Sequence, residues 1–342
     1  MSRVGIRDLS RELGLSVATV SRAMNDRDEV SPETVERVRA AAARLGYRPN
    51  HAGRSLRRGR SGAIALFVPI DTARTSLGET FYFPLASGLH QALQEQHLDV
   101  LMIPAWNDED AAGQVSGLVA RGIADAYVLT NTSIGDPRVD ALAEAGAPFV
   151  TLGQTGRDDH PALDLDFDGA AAGAVAALAA VGHRDIAVAC DDRPIAANDL
   201  FLAAWERTMR EHGLDAGTVI RVPDRADAGV ELSRRLLRLT RRPTAVVLAQ
   251  ETLALGLYPE LAAAGVRIGT DVALVGFRDN PVCAPLRPTL PAFGLDVRGL
   301  GHRLGRTLLE RMSQEGTAGL ELWPMGRLTT PPPPPGSRLG SG

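Results

Sequence analysis

Three groups of side chains in this chain could do chemistry. The first is a pair of carboxylates, Asp164 and Asp166, just ahead of an alanine-rich segment. Two neighbouring acids are the raw material of acid–base hydrolysis. Acids are also favoured at helix starts by the macrodipole, and that is the reading the following segment supports. The second group is Leu13-Gly14-Leu15-Ser16-Val17-Ala18-Thr19-Val20-Ser21-Arg22, a helix end, a tight turn and a short helix with Val17, Ala18 and Arg22 turned outward. Such a unit can set its second helix into a DNA major groove. Any three-helix bundle shares the spacing, so spacing alone leaves both readings open. The third group is a basic stretch, Arg54, Arg57, Arg58 and Arg60, with Leu56 as its one apolar side chain. No GxSxG, P-loop, HExxH or GxGxxG motif occurs, and nothing in the sequence argues for catalysis. Cys190 and Cys283 form no CxxC pair or metal-ligand cluster and read as buried thiols of a reducing compartment, with no cofactor or metal expected.

Charge separates the chain into two parts. The net charge of −4 hides 13 arginines against 7 acids in residues 1–60, and 24 against 34 in the remainder. A basic head on an acidic body suits phosphate binding by the head alone. All 37 basic residues are arginine, which reads as a genomic bias, so no arginine gains weight from its type. No run reaches the roughly 20 apolar residues of a membrane span, and the N-terminus lacks a signal-like apolar stretch. A cytoplasmic protein is expected.

The elements that must position these groups can be read from periodicity. Helices are expected over Ile6–Leu13, Val17–Met24 and from Pro32 to about Leu45, with Gly14 and Gly46 as stops and Ser16 and Ser31 as caps. From Ala63 the texture changes to apolar strands alternating with helices. Strands are expected at Ala63–Val68, Val100–Ile103, Ala126–Leu129, Phe149–Leu152, Ile186–Ala189, Thr218–Val222, Ala245–Leu248 and Val272–Gly276, with helices such as Leu85–His97, Ala171–Ala180 and Leu200–His212 between them. Continuous apolar strands alternating with helices imply parallel sheets covered on both faces. Some 270 residues of this pattern fit two similar lobes with a ligand cleft at the carboxyl ends of their strands. The expected organisation is a helix-turn-helix head at 1–46, a hinge or linker at 47–62, a two-lobed core at 63–331 and a disordered proline-rich tail at 332–342.

The stretches IRDLSRELGLSVATVSRAMN, VSPETVERVRAAAARLGYRPN and ARLGYRPNHAGRSLRRGRSGAIALFVP resemble, nearly without gaps, the head and hinge of the lactose-repressor (LacI/GalR) family. VGHRDIAV, RPTAVVLA, DVALVGF and the closing RLTTP follow in the family's order. The resemblance implies an α/β fold with a helix-turn-helix head, a hinge helix and a core similar to periplasmic sugar-binding proteins. Carried over by position, Ser16, Thr19, Ser21, Asn25, Ser31 and Thr34 match phosphate and backbone contacts, and Tyr47 and Asn50 match contacts at the head–hinge junction. Val17, Ala18 and Arg22 match base-reading positions, although Val17 could equally be core. Arg22 can donate two bonds to guanine, and a small apolar side chain can touch a thymine methyl. In the hinge, Arg54-Ser55-Leu56 matches, and Leu56 is the family's minor-groove wedge. Gly53 stands where the family usually has alanine, a change that opposes hinge-helix formation by about 1 kcal/mol.

In the cleft the chain departs from the family. Phe201 replaces the arginine before the Leu202-Ala203-Ala204-Trp205 segment, Gln250-Glu251 replaces an Asn-Asp pair, and Arg278, followed by Asp279, replaces an aspartate. Both charged sugar anchors are thus missing. Phe81, Tyr82 and Phe83 fall near the first cleft loop, as possible stacking faces or as ordinary packing. Arg278 offers a planar fork suited to an anionic ligand, or it pairs with Asp279 or Glu251 and meets no ligand. The resemblance implies a homodimeric operator-binding regulator, normally a repressor, with its dimer face on the lobe that carries the residues near Leu85–Leu93, and a small-molecule effector, sugar-derived or anionic. A regulator without an effector, or a ligand-binding α/β protein with an incidental basic head, are the other readings.

Overall fold

The computed structural model describes residues 4–24, 30–47, 60–69, 79–105, 110–192, 195–215, 217–223 and 227–336. The chain forms two compact units, Met1–Ser61 and Gly62–Gly342.

The first unit is built from α1 (Ile6–Leu13), α2 (Val17–Ala23) and α3 (Pro32–Leu45). Each boundary has a local cause. Gly14 and Gly46 end α1 and α3 in left-handed backbone, with φ of 63° and 65°, a conformation that costs glycine nothing. The Ser16 hydroxyl accepts the Thr19 amide at 3.0 Å and starts α2, and Ser31 does the same for Thr34 at 3.4 Å ahead of Pro32. Leu9, Val20, Ala23, Val38, Ala41 and Ala42 close the core.

The second unit holds two all-parallel sheets. The six-stranded sheet runs β11-β5-β4-β3-β1-β2, from β1 (Ala63–Pro69), β2 (Asp99–Ala105), β3 (Ala126–Thr130), β4 (Phe149–Leu152), β5 (Pro161–Leu165) and β11 (Gly319–Trp323). The five-stranded sheet runs β10-β9-β8-β6-β7, from β6 (Ile186–Asp191), β7 (Val219–Val222), β8 (Ala245–Leu248), β9 (Ala273–Arg278) and β10 (Ala292–Phe293). The helices are α4 (Glu79–Leu93), α5 (Ala111–Ala120), α6 (Pro137–Glu144), α7 (Phe167–Ala180), α8 (Ala196–Glu211), α9 (Ala228–Arg238), α10 (Ala254–Ala263) and α11 (Val297–Met312). The chain leaves the first sheet between β5 and α7 and returns between β10 and α11, where Asp296 caps α11 through the Gly299 amide.

Helices α4 and α11 touch backbone to backbone. A Cβ on Gly88 would lie 1.9 Å from the Arg298 carbonyl oxygen, and one on Gly301 2.0 Å from that of Leu85. Leu85, Leu89 and Leu93 are fully buried in this packing, so the face of α4 that they form is closed within the chain. The exposed positions of α4 include Phe83, Ser87 and His90.

Three findings differ from the sequence expectations. Strands β5, β10 and β11 lie outside the strands read from the sequence. Asp164 does not start a helix but sits within β5, and Asp166 alone caps α7 by accepting the Gly169 amide at 2.8 Å. Residues 332–336 are not a free tail: Pro332 is buried, the Pro333 carbonyl meets His183 Nε2 at 2.9 Å, and the Gly336 amide donates to the Thr270 oxygen. A proline run has few conformations to lose on docking.

Candidate DNA interface and ligand cleft

On the head, Val17, Ala18 and Arg22 are exposed while Val20 and Ala23 point into the core. Helical periodicity sets Ala18 and Arg22 opposite the buried Val20, but it leaves Val17, three residues before Val20, undecided. Val17 is 40% exposed, which removes the core reading left open for it. Around this face stand the hydroxyl pairs Ser16–Thr19, 2.8 Å apart, and Ser31–Thr34, 2.9 Å apart. Both pairs sit at helix N-termini, where partial positive charge and backbone amides favour a phosphate. Ser21 is half-buried, and Tyr47 packs against the head's core. Asn25, Asn50, Gly53, Arg54 and Leu56 lie outside the described residues.

In the second unit a cavity of about 160 Å³ opens where the carboxyl ends of β3, β4 and β5 meet the start of α8. This is the edge at which parallel α/β sheets bind ligands. Phe81, Tyr82 and Phe167 supply apolar faces, and Asn131, Gln154 and Asp164 supply polar groups. Asn131 follows β3 in left-handed backbone with φ of 52°. Arg138, in a buried ion pair with Asp136 at 2.6 Å, holds that turn by donating to the Thr130 and Asn131 carbonyls at 3.1 and 3.2 Å. The Asn131 Nδ2 is buried and without a hydrogen-bond partner. Asp164 is buried, and loss of solvation pushes its carboxyl up to about 6, against hydrogen bonds from Leu165 and Gln154 that favour the anion. The Leu165 amide donates to Asp164 Oδ1 at 2.9 Å.

Across the cleft, the polar groups at the carboxyl ends of β8 and β9 engage one another. Arg278 Nε lies 3.1 Å from Glu251 Oε1, and its Nη2 donates to the Thr80 hydroxyl at 3.1 Å. Asn280 Nδ2 donates to the same Glu251 oxygen at 2.7 Å. Gln250 Nε2 donates to Asn198 Oδ1 at 2.9 Å. The Arg278 guanidinium also lies over the Phe81 ring, 5.5 Å from its centre. Of the two roles the sequence left to Arg278, pairing with Glu251 is the one observed.

The structure thus brings Phe81 and Tyr82 to the cavity but not Phe83, Phe201, Gln250, Glu251 or Arg278. Phe201 is a core residue, edge-on to Phe277 at 5.8 Å, and Phe83 is 57% exposed on α4. Gln250, Glu251 and Arg278 do not line the cavity. Sequence reasoning missed Asn131 and took Asp164 for a helix-start acid instead of a cleft residue. Each had a signal: a carboxylate inside an otherwise apolar strand, and an asparagine one residue past a buried parallel strand. Among the described residues no group of His, Cys, Asp or Glu is placed to hold a metal, and no helix is long and apolar enough to cross a membrane.

A capped helix-turn-helix head on one unit, with a two-sheet core and a cleft at its strand ends on the other, defines a DNA-binding regulator with a ligand-sensing core. Comparison with known proteins agrees. Residues 5–50 match the model of bacterial regulatory proteins of the lacI family, and residues 175–330 match that of the periplasmic binding protein-like domain. The HTH-type transcriptional regulator AglR of Rhizobium meliloti is 30% identical over 94% of this chain and 91% of its own length. CelR of Thermobifida fusca is 29% identical over 90% of this chain and 92% of its own length. The lac repressor dimer bound to operator and an anti-inducer shares the fold, with a TM-score of 0.85, 22% identity and coverage of 96% of this chain and 98% of that one. A CelR–cellobiose complex aligns with a TM-score of 0.72 at 26% identity over 96% of this chain and 99% of that one. The chain belongs to the LacI family and is a transcription regulator that binds DNA.

Proposed function

We propose that this protein is a cytoplasmic repressor that binds a palindromic operator as a homodimer and responds to a saccharide-class effector in the cleft of its core. The observation that carries the DNA reading is the exposed triplet Val17, Ala18 and Arg22 on a helix whose other face is sealed into the head. Arg22 pairs with a guanine edge, and Val17 and Ala18 touch thymine methyls. Ser16, Thr19, Ser21, Asn25, Ser31 and Thr34 set the head on the phosphates, and Tyr47 and Asn50 contact the DNA backbone where the head meets the hinge. Gly53, Arg54 and Leu56 act in the minor groove, Leu56 as the wedge at a central base step. The exposed α4 residues, led by Phe83, contribute to the dimer face.

A saccharide effector is supported by the cavity's aromatic faces and by the cellobiose bound in the CelR complex of the same fold. Ligand binding shifts one lobe against the other, and two heads that must reach two half-sites at once are sensitive to that shift. We read the cleft as a binding site, in keeping with the transcription regulators that the chain resembles.

A mobility-shift assay on promoter fragments flanking the protein's own gene tests this reading. Retarded bands that survive excess random DNA, and that saccharide addition releases, are expected. Retardation abolished equally by any DNA contradicts it.

A further inference from the structure

Residues 61–342 carry 34 acids against 24 arginines, yet one edge of the second unit is basic. The five-stranded sheet holds β9, β8 and β6 side by side. Their amino ends form a rim at the opposite end of the sheet from the cleft. Arg184 precedes β6, Arg241 and Arg242 precede β8, Arg267 precedes β9, and Arg238 ends α9 just ahead of the β8 pair. All five are exposed. Every basic residue of the chain is arginine, so position and not residue type marks these five.

Two acids stand among them. Asp185 meets Arg241 at 3.0 Å, although that arginine is 85% exposed. Asp271 accepts from Arg267 at 2.9 Å, and this bond, with the charge of Arg242, holds its carboxyl below the usual range. The next acids, Glu211 and Asp215, lie on the approach to the edge strand β7 and bound the patch. Helices α7, α9 and α10 also end at the rim, because the helices of a parallel sheet run back against its strands. Each helix end carries about half a negative charge, which accounts for Arg184, Arg238 and Arg267. It does not call for Arg241 and Arg242, in the loop past α9. With two aspartates and three helix ends set against five arginines, the rim stays positive. The six residues after Gly336, whose amide binds the Thr270 oxygen at this rim, include Arg338 and no acid. Among the described residues, no exposed large apolar side chain lies at the starts of β6, β8 or β9. A protein interface needs an apolar centre, whereas a nucleic acid is held by charge alone.

We propose that this rim is a second DNA-contacting surface, separate from the head, that holds the phosphates of a duplex without reading its sequence. A regulator seated on one site by its heads then keeps a surface for a neighbouring stretch of DNA, which favours looping or bridging. The rim's role rests on DNA being this protein's partner, and on neither the symmetry of the operator nor an effector.

A two-duplex capture on the full chain tests this. The protein is bound to a random-sequence duplex fixed on beads, unbound protein is washed away, and a second, labelled random duplex is titrated in at two salt concentrations. Capture is expected at about 50 mM NaCl. Three arginines in excess of the aspartates give a salt slope of about −2.7, so fourfold more salt should weaken capture about fortyfold. Arg241→Ala combined with Arg242→Ala should flatten the slope by about 2 and weaken capture at least about tenfold at the lower salt. The first duplex should retain this variant within about twofold of the wild type, with Tm unchanged, because an exposed ion pair contributes little. Arg184→Ala with Arg238→Ala should act in the same direction. No capture at the lower salt overturns the proposal, as does equal capture by wild type and variant, the result that two heads on two duplexes would give. Capture of labelled poly-glutamate in preference to the duplex also overturns it, by marking an acidic protein as the partner. Retention on the first duplex reads the heads, so failure of the rim leaves their DNA binding standing.

Discussion

Replacing Arg278 with methionine should destabilise the core strongly, and the reason lies in what the arginine leaves behind. The guanidinium is 10% exposed and its partner Glu251 carboxylate 5%, with 3.1 Å between them. Removing one member of such a pair strands a buried charge, at a cost of about 3–5 kcal/mol. Asn280 still donates to Glu251 at 2.7 Å, so the lower end of that range is expected. Converting Glu251 to glutamine as well removes the stranded charge, and the double variant should recover about half of the loss. Urea unfolding, followed by the fluorescence of the buried Trp205, reads these differences from the shift in midpoint. A loss below about 1 kcal/mol for Arg278→Met, or strictly additive effects in the double variant, would show that the two side chains do not act as a pair.

Other perturbations have equally definite outcomes. Arg22→Ala should weaken cognate DNA by about 1–3 kcal/mol and relax selectivity at one base pair, while Thr19→Ala should weaken specific and random DNA more nearly alike; binding curves on point-variant duplexes separate the two. Gly301→Ala forces a Cβ to within 2.0 Å of the Leu85 carbonyl oxygen and should cost about 1–3 kcal/mol of overpacking in a denaturation experiment. Ser31→Ala removes the α3 cap and should cost about 1 kcal/mol in the head's stability. The Asp164 carboxyl, raised from 3.8 to about 6, holds a proton in the folded state that the unfolded chain has released. Its contribution therefore declines as pH rises from about 4 to 6 and stays lost above that, and Asp164→Asn should remove this slope from a Tm-against-pH series. Among the described residues lining the cavity, Tyr82 is the only other titratable side chain.

The head was legible almost residue by residue, because its folding rules are local. Serine caps, Pro32 at a helix start and glycines at helix stops each act within a few residues. The strands β4 and β8 were read to their ends, since buried parallel strands are continuous apolar runs. Strand β5 was not, because Asp164 interrupts its run, and strand β11 was not, because Leu320 and Leu322 alternate with half-buried residues at a sheet edge. The cleft was the least legible part. Whether Arg278 meets a ligand or Glu251 depends on two strands brought side by side by the fold, and no local pattern decides it. The alanine-rich α7 was recognised as helix, but its first turn, from Phe167, depends on the Asp166 cap and the stacking of Phe167 on Phe277.

The central claim is sequence-specific recognition of a two-fold DNA site, and selection from a random duplex pool tests it most directly. The purified full chain is incubated with randomised duplexes at physiological salt, bound DNA is recovered, amplified and sequenced, and the cycle is repeated. Enrichment of an inverted repeat, with a guanine in each half-site whose selection disappears for Arg22→Ala, is the expected result. Recovery of DNA with no enriched sequence, or of an unrepeated half-site alone, would contradict the account.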